Sequence, residues 1–442
     1  VTYEIKSYKG SGVGMDVLPA LLGVGYICGA RVSSYIFAGG VIGWFVLMPL
    51  IALFGADLTI FPASVPVSEL GASGIWSNYI RYIGAGAVAA GGIISLVKNL
   101  PLIAKTFRQA LKSYGSKGNG DNSRLNKDIP MNIVILTIGI MAIIMWLVPA
   151  VPVNLLGAII IVIFGFFFAT VSSRMVGIVG SSNNPVSGMA IATLLITTMI
   201  LKATGTIGMP GMVASIAIGS VICIIAAIAG DTSQDLKTGY LVGATPWKQQ
   251  VGEIIGVAAS AIAIGGVLYL LNAAWSYGSS AIPAPQATLM KMVVEGVMGG
   301  NLPWVLVFAG VGIAVVVEIL GIPVLPFAVG LYLPIYLSTP MIVGGLIRLY
   351  FDKKKGESEE EKKRKVENGV LYSSGLIAGE GLVGILLAVC AVIPFKGETF
   401  ADAFNLSAIF GFSLGNIGGL VFFALLAVTL ILFIRGKKKK EN

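Results

Sequence analysis

Positions 33–54 read SSYIFAGGVIGWFVLMPLIALF, without a single charged side chain. At about 1.5 Å of rise per residue, a helix of about 20 such residues crosses the hydrocarbon core of a bilayer. Comparable runs recur at 79–100, 131–149, 154–173, 187–204, 210–229, 251–272, 302–320, 371–393 and 418–435. Two more, 14–31 and 323–347, are apolar but interrupted by Pro and Gly. Only helices and closed barrels can span lipid, because every backbone polar group needs an internal partner there. The runs lack the period-2 alternation of barrel strands. The expected fold is therefore an all-α integral membrane protein, a polytopic helical bundle of about 12 segments by the length criterion.

Composition agrees. Of 442 residues, 56% are apolar and 12% charged, and the mean hydropathy is +0.90. Soluble domains carry about 25% charged residues, so this chain lacks the side chains to solvate a water-facing surface of its size. Its 58 glycines suit close helix packing in lipid. There is no His, which excludes His proton relays, His metal sites and Ser-His catalysis. Cys28, Cys223 and Cys390 lie far apart in apolar runs, in no metal or redox spacing. No G-x-x-x-x-G-K-[ST] loop occurs, so an ion gradient is the expected energy source and no cofactor or metal is expected. The net charge of +9 gathers in KKK at 353–355, KKRK at 362–365 and KKKK at 437–440. Such clusters beside apolar runs follow the positive-inside pattern and invite anionic lipid. They place the tail in the cytoplasm of a multi-pass cell-membrane protein, and nucleic acid is not an expected partner.

The organisation reads as 1–104, the end of a first repeat; 105–129, a polar loop; 130–350, a membrane core; 351–369, a charged loop; 370–436, the last helices; and 437–442, a basic tail. The chain opens VTYEIKSYKG, without an initiator Met or a signal peptide, and the expectation is that an N-terminal part of the natural protein precedes it. It also repeats itself. LPALLGVGYICGARVSSYIFAGG starts at Leu18 and LPFAVGLYLPIYLSTPMIVGG at Leu325, each with LP, a Gly four residues after the Pro (Gly23, Gly330), a Tyr and a closing GG. A second echo pairs Asn78, Tyr82 and Gly91 with Asn368, Tyr372 and Gly381. Duplicated halves are a common build for secondary transporters. If 323–347 spans the membrane the copies are parallel; if it is a re-entrant hairpin they are inverted.

Charged residues inside spans are expensive and mark pathways or partners. Glu253 opens the 251–272 run, Glu318 falls late in 302–320, and Glu380 sits near the middle of 371–393. Arg174 and Lys202 lie near span ends, where snorkelling is expected. GSSNNPVSGM (180–189) breaks two apolar runs with Asn183, Asn184, Pro185 and Gly188. Irregular backbone at membrane depth is tolerated only where it lines a cavity or is buried in protein. The polar block AGDTSQDLKTGYLVGATPWKQQ (229–250) adds Asp231, Asp235, Lys237 and Tyr240. It is expected to end the span at 210–229 and to form an amphipathic or partly unwound connector, with Gly239 and Gly243 allowing a bend. These residues, with Tyr332 of the second LP block, are the candidate substrate or proton pathway.

Several stretches together resemble the oligopeptide transporter family, which includes the yellow-stripe-like metal–chelate carriers. GDTSQDLKTGYLVGATPWKQQ is similar to its signature and SSNNPVSGM to its NP-G motif. LPFAVGLYLPIYLSTPMIVGGLIR, IWSNYIRYIGAGAVAAGG and GVLYSSGLIAGEGLVG look like its prokaryotic branch. The resemblance runs from about Leu18 to about Ile393. It implies a proton-coupled symporter of short peptides or peptide-like metal chelates, and roughly 16 helices built by duplication. It does not separate the peptide branch from the chelate branch, and the oligomeric state is not legible. A channel-like pore or another ion-coupled carrier is the alternative. An intramembrane aspartyl enzyme built on Asp231 and Asp235 is disfavoured, since neither lies in a clear apolar span, and no enzymatic activity is expected.

Overall fold

The computed structural model describes residues 2–5, 7–115, 123–179, 186–279, 281–282, 284–299, 302–354, 356, 358–395, 398–403 and 415–435. The fold is all-α. Strands are limited to short hairpin arms, among them β1 (Thr2–Glu4) antiparallel to β2 (Gly12–Gly14). Every apolar segment expected from the sequence lies in helix. Helix α1 (Pro19–Val41) runs through a π-helical turn, Ile42–Leu47, into α2 (Met48–Phe54). A short α3 (Gly71–Ile75) and a second π-turn, Trp76–Ile80, lead into α4 (Arg81–Gly115). Then come α5 (Met131–Leu147), α6 (Leu155–Val179), α7 (Val186–Ala203), α8 (Gly208–Val242) and α9 (Pro246–Trp275). After them follow α10 (Pro285–Gly299), α11 (Trp304–Ile319), α12 (Val324–Tyr332), α13 (Ile335–Lys353) and α14 (Glu359–Val392). The last described helix is Gly415–Arg435.

Among the described residues, six helical runs are long and apolar enough to cross a membrane, and three shorter apolar helices accompany them. The dozen separate spans expected are not confirmed by these helices. The segments 14–31 and 33–54 fuse into one run, Pro19–Phe54, because α1 continues across residue 32 and the π-turn Ile42–Leu47 joins it to α2. The segment 323–347 is split in two. The apolar surface is turned outward: in α9 none of the most apolar window is buried, and Ile262 and Tyr269 are each 80% exposed. Water would not tolerate such a continuous apolar face; lipid solvates it.

The chain forms two units. One comprises Val1–Val88, Val267–Pro283 and Pro303–Asn442, the other Ala89–Gly266 and Ala284–Leu302. A core of the first is built from Leu22, Tyr26, Phe351, Phe423, Leu430 and Ile434. The second packs Ile161, Phe168, Met189, Leu194, Ile218 and Val294 at its centre.

Candidate functional site

In the first unit the repeated LP blocks lie against each other. Helix α1 starts at Pro19 and α12 at Val324, and each copy breaks ten residues later, at Gly29 and Pro334. In the first copy the break is Gly29 (φ 79°, ψ 168°), a conformation that needs a glycine. In the second, α12 stops at Tyr332, and Leu333 and Pro334 precede α13. Pro334 has no N–H to continue the ladder. Gly29 and Pro334 are 305 positions apart, like Pro19 and Val324.

The packing is reciprocal in that same register. A Cβ added to Gly25 would meet the backbone of Met341, and one on Gly330 the backbone of Ile36. Gly39 packs on the Phe327 carbonyl and Gly344 on the Leu22 carbonyl. A Cβ on Gly39 would lie 2.7 Å from Leu331 N and 3.1 Å from Gly330 C; one on Gly344 would lie 2.7 Å from Tyr26 N and 3.1 Å from Gly25 C. Gly40 faces Ser338 Oγ and Gly345 faces Ser33 Oγ, at 3.0 and 2.9 Å from the added Cβ. Where residue i touches the partner of j and j touches the partner of i, a two-fold axis relates the two copies. As the position rises along α1 the contact falls along α12–α13, so the copies run antiparallel. That is the geometry of inverted repeats. The LP dipeptides suggest a register of 307, two residues off. Pro19 opens its helix whereas Pro326 is the third residue of α12, and the glycines, not the prolines, make the contacts.

Tyr332 ends α12 at the break, 2% exposed, and Arg81 hydrogen-bonds its hydroxyl. Glu380 of α14 accepts the backbone N–H of Ala20 at 2.6 Å. The N-cap of α1, Leu18, has no side-chain cap of its own. A carboxylate at that positive helix end is a favourable pairing. Glu318 is half-buried in the last turn of α11. Just before α1, Asp16 donates its backbone N–H to the Tyr336 carbonyl at 2.8 Å, and burial pushes its carboxyl above the usual carboxylate range.

In the second unit the polar block is not a loop. Helix α8 continues through it to Val242, and the chain turns only at Gly243 (φ 77°, ψ 26°). Gly239 stays helical; a side chain there would strike Gln249, so its role is close approach rather than bending. Asp231 and Asp235 share an exposed helical face, and Lys237 and Tyr240 are exposed as well. Glu253 is placed differently. It lines an open cavity of about 360 Å³ with Thr232, Gln250, Ile129, Ile228 and Val257. The Thr232 hydroxyl hydrogen-bonds its carboxyl, while Oε1 is buried without a partner among the described residues. The rest of the block docks the end of the 113–128 stretch. Arg124 Nη2 donates to the Gly243 carbonyl at 2.7 Å, Trp247 N to the Lys127 carbonyl at 2.9 Å, and Ile129 N to Gln250 Oε1 at 3.0 Å. Lys202 does not only snorkel: its Nζ donates to the Val297 carbonyl in the last turn of α10. Gly188 is buried in α7, near Gly92. Asn183, Asn184 and Pro185 lie outside the described residues.

The structure thus gathers Tyr332, Arg81 and the two breaks in one region, Glu380 beside the start of α1, and Glu253 with the end of α8 in the other unit. The Gly29 break was not legible in the sequence, since one glycine among many carries no mark. Its signal is the match in position to Pro334.

Outward apolar helices and an inverted pair of broken helices define a multi-pass helical membrane protein with the build of a carrier. More particularly, the chain belongs to the OPT oligopeptide transporter family, whose model matches residues 5–391. It is 28% identical over 439 residues to a protein of Haemophilus influenzae named as an oligopeptide transporter, covering 88% of this chain and 68% of that one. It is 25% identical over 432 residues to a protein of Oryza sativa subsp. japonica named as a metal-nicotianamine transporter, covering 89% and 58%. A likewise named protein of Arabidopsis thaliana is 30% identical over 231 residues, 47% of this chain and 31% of the relative. The chain therefore spans 58% of the rice protein and a smaller share of the Arabidopsis one.

Proposed function

We propose that this chain is the membrane core of a secondary active carrier that takes up short peptides or peptide-like metal chelates together with protons. The observation that carries the reading is the reciprocal pair of breaks at Gly29 and Leu333–Pro334. Alternating access in inverted-repeat carriers needs two equivalent arrangements around a central site, and broken helices supply backbone groups to that site. Family membership supports a peptide or chelate substrate. Glu380, Glu318 and Glu253 are the carboxyls available for proton coupling, and the tail is cytoplasmic in this reading of a cell-membrane protein. The test is uptake into proteoliposomes of labelled tripeptide and of iron–nicotianamine, with and without an inward proton gradient. Saturable, gradient-driven uptake of either supports the reading. Unsaturable flux indifferent to the gradient favours the pore.

A further inference from the structure

The outward apolar face of α9 carries one exception. Of residues 251–260 only Glu253 is half-buried; the others are all exposed, Ile254 by 62% and Val257 by 44%. A helix in water shows the reverse, with the carboxylate out and the isoleucine in. On α9 lipid solvates the apolar side chains, and the one charge is withdrawn into a cavity.

That withdrawal leaves Glu253 short of partners. The Thr232 hydroxyl hydrogen-bonds its carboxyl, and Oε1 is buried without a partner among the described residues. No lysine or arginine pairs with it among those residues. The charge that acts on it, Asp235, has the same sign. A carboxylate out of water without a counter-ion is costly. Rotation about the last side-chain bond exchanges its two oxygens at little cost, so the unpaired one is available to the cavity.

The cavity, of about 360 Å³, suits an occupant with one charged end. Ile129, Ile254 and Val257 give it apolar walls. Gln250 is already committed: its Oε1 accepts the Ile129 N–H and its Nε2 donates to Asp128 Oδ1, which holds Ile129 in the wall. Cations stand nearby in sequence and exposed: Arg124 and Lys127 in the docked segment, and Lys248 in the first turn of α9. Beside Lys248, Trp247 is 41% exposed, the kind of ring that settles at a membrane–water interface. Glu253 follows less than two turns later, where the apolar run begins.

We infer that this cavity binds the headgroup of a phospholipid with a primary ammonium, an ethanolamine lipid, its ammonium on Glu253 and its acyl chains along the exposed face of α9. A primary ammonium is compact and has three donors for carboxylate and hydroxyl oxygens. A choline headgroup has no N–H to donate, and a phosphoglycerol headgroup brings only negative charge towards Glu253 and Asp235. The cations at the start of α9 and in the docked segment complement the lipid phosphate. Binding is read without transport, so its outcome is separate from that of the carrier reading.

The test is thermal unfolding of the purified full chain in dodecyl maltoside at constant ionic strength. It is titrated with dioleoyl phospholipids carrying ethanolamine, N-methylethanolamine, N,N-dimethylethanolamine, choline or glycerol. The expected result is a saturable rise in midpoint with the ethanolamine lipid that weakens with each added methyl group. Half-saturation should favour ethanolamine over choline by about tenfold or more, the scale of one charge-assisted hydrogen bond. Glu253→Gln keeps an acceptor but loses the charge, and should bring that ratio close to one. Should the variant fail to fold, Val257→Trp fills the cavity from an exposed position and should do the same. Equal responses to the ethanolamine and choline lipids, or none to either, overturn the inference. So does a Glu253→Gln or Val257→Trp protein that keeps the preference. An equal response to O-phosphoethanolamine, which has the headgroup without chains, overturns a lipid as the occupant.

Discussion

The sharpest consequence of the inverted packing concerns Gly25 and Gly330. A Cβ on either would fall on partner backbone, the Met341 carbonyl in one case and the Ile36 carbonyl in the other. Backbone cannot swing away as a long side chain can, so α1 must move off α12–α13. Overpacking of this kind costs about 1–3 kcal/mol. A gap of about 0.5–1 Å along the crossing also forfeits a quarter to a half of each dispersion contact it opens. With an unfolding entropy of about 2.1 cal/mol/K per residue over 442 residues, each kcal/mol moves the midpoint by roughly 1 °C, so Gly25→Ala and Gly330→Ala should each lower it by roughly 1–3 °C. Because a two-fold relates the contacts, the two shifts should agree closely. The double variant should lose less than their sum, since the helices separate only once. Gly381 is the control. It belongs to the second sequence echo, yet nothing lies within 4 Å of its position on α14. Alanine there removes the flexibility penalty of a helical glycine and should stabilise by about 0.5–1 kcal/mol. The measurement is intrinsic-fluorescence melting in detergent. A harmless Gly25→Ala, or a Gly381→Ala as damaging as either, would refute the reciprocal packing.

Other expectations follow from single contacts. Glu380→Gln keeps an acceptor for Ala20 N–H but loses the charge at the helix end, a loss of about 0.3–1 kcal/mol; uptake driven by external acid should weaken as well, and undiminished acid-driven uptake would leave Glu380 as a cap alone. Asp16 titrates above the usual carboxylate range because of burial. Folding therefore favours its protonated form, and its contribution, complete below the ordinary value of about 4, is lost as pH rises through the raised one. Asp16→Asn should melt higher than the parent at neutral pH, with the gap closing as the pH approaches about 4; a gap independent of pH would count against burial as the cause. Gln250→Ala removes both the acceptor for Ile129 N–H and the donor to Asp128 Oδ1. Limited trypsin digestion should then cut faster at Arg124 and Lys127, while an unchanged cleavage rate would show that Arg124 and Trp247 hold the segment without it.

Much of the fold was legible because the constraint was severe. A bilayer admits few backbone solutions, so apolar runs without alternation read as helices at every expected position. The repeat was legible too, but in the wrong register. Pro stands out in a sequence, yet in these copies it marks different helix positions. Glycines govern the distance between backbones, and their closing GG pairs at 39–40 and 344–345 already stand 305 apart. The polar block misled for a related reason. Asp, Ser, Thr and Gln suggest an unwound connector, but α8 extends through them because Gly243 alone adopts the left-handed conformation that ends it. Of the candidate carboxyls, Glu253 and Glu380 have specific settings, while Asp231 and Asp235 lie on an exposed face. Exposure depends on which neighbours return to cover a position, and local sequence does not carry that. Arg348 drew no notice, because its meaning rests on Tyr26, which lies 322 residues away.

The departures from symmetry are more informative than the symmetry. An inverted pair with identical breaks has two arrangements of equal energy and nothing to choose between them. A ligand shifts such an equilibrium only by the difference in its affinity for the two arrangements, and a complete reversal from 1:99 to 99:1 needs about a 10⁴-fold difference. The two breaks are not identical: Ser33 and Arg348 donate to the carbonyls before Gly29, whereas α12 ends at Leu333–Pro334 and Ser338 donates to the Ile335 carbonyl.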